Sequence, residues 1–190
     1  MSHEPDVYRL ESAYGAINTR PEHAIQELEV LAGIGSSMAP LYLGWIYQTG
    51  DSVIKDDAKA EYWFKLSADR GQKLAAYYLG HHYLKLGRNA DAIRVFERDA
   101  AAGSIASKYC LAMAILGGES GKPEFDKARK LLTESAAEGH VFAMRALASM
   151  YLSGKLGMLG RLYGLGLWGK AVITGLYLAV KVPDDERLRA

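Results

Sequence analysis

Four glycines divide this chain at near-constant intervals: Gly35, Gly71, Gly103 and Gly139 stand 36, 32 and 36 residues apart. Four positions after each comes a small residue, Ala39, Ala75, Ser107 or Ala143. Four further on stands Leu43, Leu79, Leu111 or Leu147, followed directly by Gly44, Gly80, Ala112 or Ala148, and then in phase by Tyr47, Tyr83, Ile115 or Tyr151. The second half of each interval repeats as well: Ala60, Ala92 and Ala128; then Phe64, Phe96 and Leu132; then Ala68, Ala100 and Ala136. Self-similarity at such a period, with apolar residues three and four apart inside it, demands an all-α chain of stacked antiparallel helix pairs, since no single pair can bury its own apolar face. The small residues have a packing role. They let two helix backbones approach closely while one large neighbour fills the remaining space.

In chain order, Asp6 or Pro5 opens a helix from Val7 to Ile17, with Leu10, Tyr14 and Ile17 on one face. Pro21 starts the next, whose stripe is Ala24, Leu28 and Leu31. Residues 1–35 thus form a degenerate N-terminal helix pair that caps the stack, because terminal repeats depart from the pattern where one face meets water. Residues 36–157 hold three full repeats and the first helix of a fourth. The clearest runs from Ser36 to Gly71, with a first helix Met38–Thr49 stopped by Gly50 and a second starting near Asp56. Residues 158–182 continue in register as an apolar, glycine-rich, degenerate helix pair, and 183–190 are a polar tail. The Gly117–Pro123 segment reads as an exposed, mobile loop.

The pattern small-x-x-x-Leu-Gly-x-x-Tyr-x-x-Gly, then Asp-x-x-Lys-Ala-x-x-Trp-Phe-x-x-Ser-Ala-x-x-Gly, resembles the Sel-one-like repeat (SLR), a relative of the tetratricopeptide repeat. The likeness is strongest over Ala39–Gly71, good at Ala143–Gly154 and moderate at Ala75–Gly103 and Ser107–Gly139; Ala112 and Ala148 depart from the usual glycine. It implies a right-handed α-solenoid and a non-enzymatic scaffold or adaptor. In bacteria it further implies exopolysaccharide or alginate-type assembly, signalling, or host contact.

Several function classes are disfavoured by composition. A formal net charge of +1 leaves no basic stripe for nucleic acid. Cys110 is the only cysteine, which fits a reducing compartment, forbids an internal disulfide and reads as a small packed residue. The acidic N-terminal MSHEPDVYRLES is not a secretory signal, so a cytoplasmic location is expected, with peripheral attachment to the inner membrane kept open. His81 and His82 are adjacent on a helix and point about 100° apart, so they cannot close on one metal ion. No catalytic, cofactor or metal site is expected.

In a stacked array the first helices line the inner face. The expected partner groove is therefore Leu41, Trp45 and Gln48; Tyr77, His81 and Leu84; Tyr109 and Met113, with Leu116; and Arg145 and Ser149. Aromatic and arginine anchors of this kind suit a partner protein's helix or extended peptide. The C-terminal unit is the second candidate surface: Leu159, Arg161, Leu162, Leu165, Leu167, Trp168, Lys170, Ile173, Leu176 and Tyr177. Leu162–Gly169 and Ala171–Val180 are each too short to span a bilayer and suggest a surface-lying or re-entrant pair hinged near Gly175, with Arg161, Lys170 and Lys181 at lipid headgroups. Three readings stay open: an anionic membrane surface, a protein interface (a homo-oligomer or a regulatory heterocomplex), and an internal core helix. The leading function is an adaptor that binds a partner protein and sits at the inner membrane, with envelope polysaccharide export as its setting by resemblance. The alternative is a soluble regulatory or signalling subunit that pairs through this unit.

Overall fold

The computed structural model describes residues 6–118, 124–153 and 157–181, and the side chains of all of these except 157–160. Among the described residues every regular element is an α-helix: α1 (Val7–Gly15), α2 (Pro21–Gly33), α3 (Met38–Thr49), α4 (Asp57–Asp69), α5 (Ala75–Lys85), α6 (Asn89–Ala101), α7 (Ile105–Gly117), α8 (Phe125–Ala137), α9 (Val141–Leu152) and α10 (Gly157–Lys181). The chain falls into two compact units, the first ending at Gly87 and the second beginning at Arg88.

In the first unit α1 packs on α2, α2 on α3, α3 on α4 and α4 on α5, and α1 also touches α3. α1 ends at Gly15, two residues before the expected Ile17, because the backbone tightens: the Ile17 N–H donates to the Tyr14 carbonyl three residues back. Asp56 caps α4, its carboxylate accepting from the Lys59 N–H at 2.9 Å. The core centres on Leu28, Leu31, Leu43 and Phe64, all fully buried. Gly44 explains the Leu-Gly pair of the repeat. A Cβ built there would lie 2.5 Å from the Phe64 ring, so the ring occupies the space that a side chain would need. The inner face of α4 is Ala60, Phe64 and Ser67, with Ala68 only half-buried. The Ser67 hydroxyl donates to the Ser37 carbonyl at 2.7 Å and ties the end of one helix to the start of its partner.

The second unit repeats this in order, α6 on α7, α7 on α8, α8 on α9 and α9 on α10. Ala128, Leu132 and Ser135 replace Ala60, Phe64 and Ser67, and the Ser135 hydroxyl donates to the Ile105 carbonyl at 3.1 Å in the same way. Ser107 donates to the Asp99 carboxylate at 2.6 Å.

One hydrogen-bonded closure ends α2, α4, α6 and α8. The glycine at 35, 71, 103 or 139 takes a left-handed φ of 104°, 77°, 99° or 93°. The next residue's N–H then reaches five positions back: Ser36 to Leu31, Gln72 to Ser67, Ser104 to Asp99 and His140 to Ser135, at 3.0–3.1 Å. Only glycine enters that region without cost, and the closure satisfies carbonyls that the helix end would otherwise leave open. The helix α7 ends at Gly117 with Gly118 left-handed; residues 119–123 of the expected loop lie outside the described residues.

The C-terminal segment departs from expectation. Instead of two short helices hinged near Gly175 there is one 25-residue helix, α10. Each glycine inside a helix costs about 1 kcal/mol, less than a proline would, and no proline interrupts this run. Packing on α9 supplies the rest. Gly164, Ala171 and Leu178, seven residues apart, are buried as a seam. A Cβ at Gly164 would sit 3.0 Å from the Ala148 carbonyl oxygen, and one at Gly175 3.3 Å from Val141. The contacts descend α9 as α10 ascends, so the two helices are antiparallel. The polar tail expected at 183–190 lies outside the described residues.

Candidate functional site

In the first unit, α1, α3 and α5 share a cleft of about 510 Å³. An unbroken run of aromatic contacts lines or backs it. Tyr14 stacks on Tyr42 with centroids 4.3 Å apart, Tyr42 lies 6.0 Å from Trp45, and Trp45 meets Tyr78 edge-on at 4.7 Å. Tyr78 meets Tyr77 at 5.1 Å, and Tyr77 meets His81 at 4.4 Å. Such pairs fix one another's orientation, so the rings hold a set arrangement. Burial lowers the His81 pKa, and the neighbouring Lys85 ammonium lowers it further, so His81 presents a neutral imidazole at pH 7. Polar groups mark the rim: Asn18, whose side-chain oxygen accepts from Ser52 at 2.8 Å, with Gln48, Thr49, Asp51 and Lys85.

His82 faces the other way. It is buried, with Nε2 3.0 Å from the Asp57 carbonyl and Nδ1 3.0 Å from the Gln48 amide nitrogen. A carbonyl can only accept, so Nε2 carries the proton and Nδ1 accepts from Gln48, which holds Gln48 against the cleft wall. The two adjacent histidines thus do different work, one as surface and one as support.

In the second unit, Tyr109, Phe142, Arg145, Ala146, Ser149, Leu152 and Trp168 line a hollow of about 580 Å³. Tyr109 stacks on His140 at 4.8 Å, and the Arg145 guanidinium lies 5.7 Å from the Phe142 ring centre. A third hollow of about 340 Å³, lined by Leu116, Phe125, Arg129, Met150 and Tyr151 among others, takes Leu116 away from the groove.

Of the expected groove, the structure therefore gathers Trp45, Gln48, Tyr77 and His81 in one cleft, and Tyr109, Arg145 and Ser149 in another. Leu41 is not a groove residue. It is 1% exposed, because α3 packs on α2 as well as on α4 and is buried on more than one side. Leu84 is half-buried and Met113 exposed, and neither lines a hollow described above. Cys110 is buried and its thiol is pushed up to about 12, chiefly by burial and then by the Asp99 charge, so it stays protonated at neutral pH. On α10, Leu162, Leu165, Trp168, Ile173, Leu176 and Tyr177 are exposed, as are Arg161 and Lys170, while Leu167 is half-buried. The Leu159 side chain lies outside the described residues.

The Sel1 repeat family model matches residues 38–72 and 106–140, which are α3–α4 and α7–α8 with their closing glycines. This is a Sel1-like repeat protein. Its structure is similar to a Sel1 repeat protein from Oxalobacter formigenes, with a TM-score of 0.65 and 19% identity over 85% of this chain and 70% of that one. It is similar also to c5321, a protective antigen of uropathogenic Escherichia coli displaying an SLR fold, with a TM-score of 0.69 and 22% identity over 90% of this chain and 39% of that one. These likenesses show the fold. Among curated proteins, a putative sel1-like repeat-containing protein, L21, of Acanthamoeba polyphaga mimivirus is 30% identical over 113 residues, 60% of this chain. The chain spans 21% of that relative's length. Sel1-like repeat proteins are generally non-catalytic scaffolds.

Sequence reasoning missed Tyr14, Tyr42 and Tyr78, which complete the ring contacts. A signal was present: Tyr42 and Tyr78 occupy equivalent positions in successive intervals of the chain, each directly before the packed leucine. It missed Ser67 and Ser135 in the same way, as equivalent residues that tie the paired helices.

Proposed function

We propose that this Sel1-like repeat protein is a non-enzymatic adaptor that holds a short extended segment of a partner protein in the cleft between α1, α3 and α5. The observation that carries the reading is the run of six rings from Tyr14 to His81, pre-set by mutual contact and open to solvent along one side. Tyrosine and tryptophan dominate interface energies, and pre-ordered side chains lose little entropy on binding. The size of the cleft matters too. At about 510 Å³ it is a pocket for a few side chains rather than a trough for a whole helix. The neutral imidazole and rim amides would bond the backbone of the guest, while the rings select apolar or aromatic side chains. A setting in envelope polysaccharide synthesis or export rests on the family resemblance alone.

A displayed random-peptide library panned on the full chain tests this. Enriched peptides should carry aromatic or large apolar residues, and Trp45→Ala and Tyr77→Ala should each weaken a synthetic copy at least tenfold in fluorescence polarisation. Peptides that bind both variants as well as the unaltered chain would remove the cleft from the account.

A further inference from the structure

We propose that α10 lies flat on an anionic phospholipid surface, with its outward face in the acyl region and its lysines at the headgroups. The proposal stands apart from the cleft of the first unit. Gly164, Ala171 and Leu178 fall on one side of α10 and are buried against α9. On a helical wheel the opposite side is Leu162, Ile173 and Val180, with Leu176 beside them. These are 59%, 71%, 79% and 66% exposed, so the outward face is apolar from Leu162 to Val180, about 27 Å along the helix. Monomeric soluble proteins rarely leave such a continuous surface to water.

Charge decides the occupant. Residues 157–181 contain Arg161, Lys170 and Lys181 and no acidic residue. Eleven residues apart, Lys170 and Lys181 share one flank of the outward face, and Arg161 lies on the other. Both flanks are placed to reach outward past the apolar strip while their methylene stems remain on it. A second copy of α10 across this face would bring only further cations to these flanks in either orientation, because residues 157–181 carry no carboxylate to pair with them. An anionic bilayer instead presents acyl chains to the strip and phosphates to the flanks, at about 1 kcal/mol per basic residue. Tyr163 and Tyr177, both exposed, are the amphipathic rings that favour that depth. The helix is long and apolar enough to cross a bilayer by length and composition. Crossing would strip the glycine–alanine seam from α9 and place Lys170 near mid-bilayer, so the surface orientation is the one compatible with the packed fold.

The test is flotation of the full chain with vesicles of phosphatidylcholine alone or mixed with phosphatidylglycerol, beside light scattering in buffer. The expected result is flotation with the anionic vesicles, at least tenfold weaker with neutral ones, by a chain that is monomeric in buffer. Ile173→Glu and Leu176→Glu should each lower the anionic partition at least tenfold, and Lys170→Glu with Lys181→Glu should bring it to the neutral level. All four positions are exposed, so circular dichroism and thermal midpoint should not move. The unaltered chain remaining at the bottom with anionic vesicles overturns the proposal. So does a discrete dimer in buffer that Ile173→Glu dissolves, which would make this face a protein interface.

Discussion

Phe64 has room for its ring only because position 44 carries no side chain, and the chain contains its own control for that statement. In the equivalent pair of the second unit the glycine is Ala112 and the phenylalanine Leu132. Gly44→Ala alone should destabilise the chain by about 1–3 kcal/mol through overpacking, while Gly44→Ala with Phe64→Leu should recover more than half of the loss. Urea midpoints of the three variants measure it; a double variant no better than the single one would break the equivalence of the repeats. His82 carries a second prediction. Burial lowers its pKa, and the hydrogen bond to the Asp57 carbonyl opposes that only in part. Above the ordinary histidine pKa, near 6.5, folded and unfolded chains are both neutral there and the term is absent. As pH falls below it the unfolded chain takes up a proton that the folded one resists, so stability drops. His81 is lowered as well and acts in the same direction. The urea midpoint should therefore be flat from pH 8 to 7 and fall toward pH 5, and His82→Gln should reduce that slope without abolishing it. A midpoint independent of pH over this range would show that His82 is not held neutral by the fold.

At the scale of the helix, most of the fold was legible because each element is punctuated. The helix α3 spans Met38–Thr49 as read, stopped by a left-handed Gly50, and α4 follows the Asp56 cap. Two readings failed, for different physical reasons. Leu41 was placed by counting turns from the Leu-Gly pair, but α3 is packed by α2 as well as by α4, so a side turned away from Leu43 is still buried. The helix α10 was divided because glycine and lysine look like breaks, whereas here Gly164 and Gly175 are part of the contact surface that lets α10 lie against α9. The aromatic cleft was half legible: Trp45, Gln48, Tyr77 and His81 could be placed from phase alone, but the part played by Tyr14 depends on which side of α3 the terminal pair packs, and no repeat spacing encodes that. The α10 account has its own check. Gly164→Val would thrust a branched side chain toward the Ala148 carbonyl, and the helix should lift without the array unfolding. Trypsin should then cut after Arg161 and Lys170 at least tenfold faster than in the unaltered chain, with the residues before Gly154 left intact; equal rates would mean that the seam does not hold the helix.

Across the whole molecule, the main contacts within each unit join helices that follow one another in sequence. Stability in such an array is close to a sum of local terms, because each pair leans on its neighbours and on little else. Damage at Gly44 should stay local: in Gly44→Ala, hydrogen exchange should accelerate for amides of α3 and α4 while those of α7, α8 and α9 keep their protection. The same economy has a consequence in the closures at Gly35, Gly71, Gly103 and Gly139. Their hydrogen-bond geometry is the same, although the intervals they bound differ in length. Any stretch cut between two of them carries matching ends, so it can be deleted, duplicated or exchanged with another such stretch and the splice will be a joint the chain already makes. A gene with this property lengthens by unequal crossing-over without inventing a new turn, and the limit on its growth passes from the backbone to the fit of side chains at each new face.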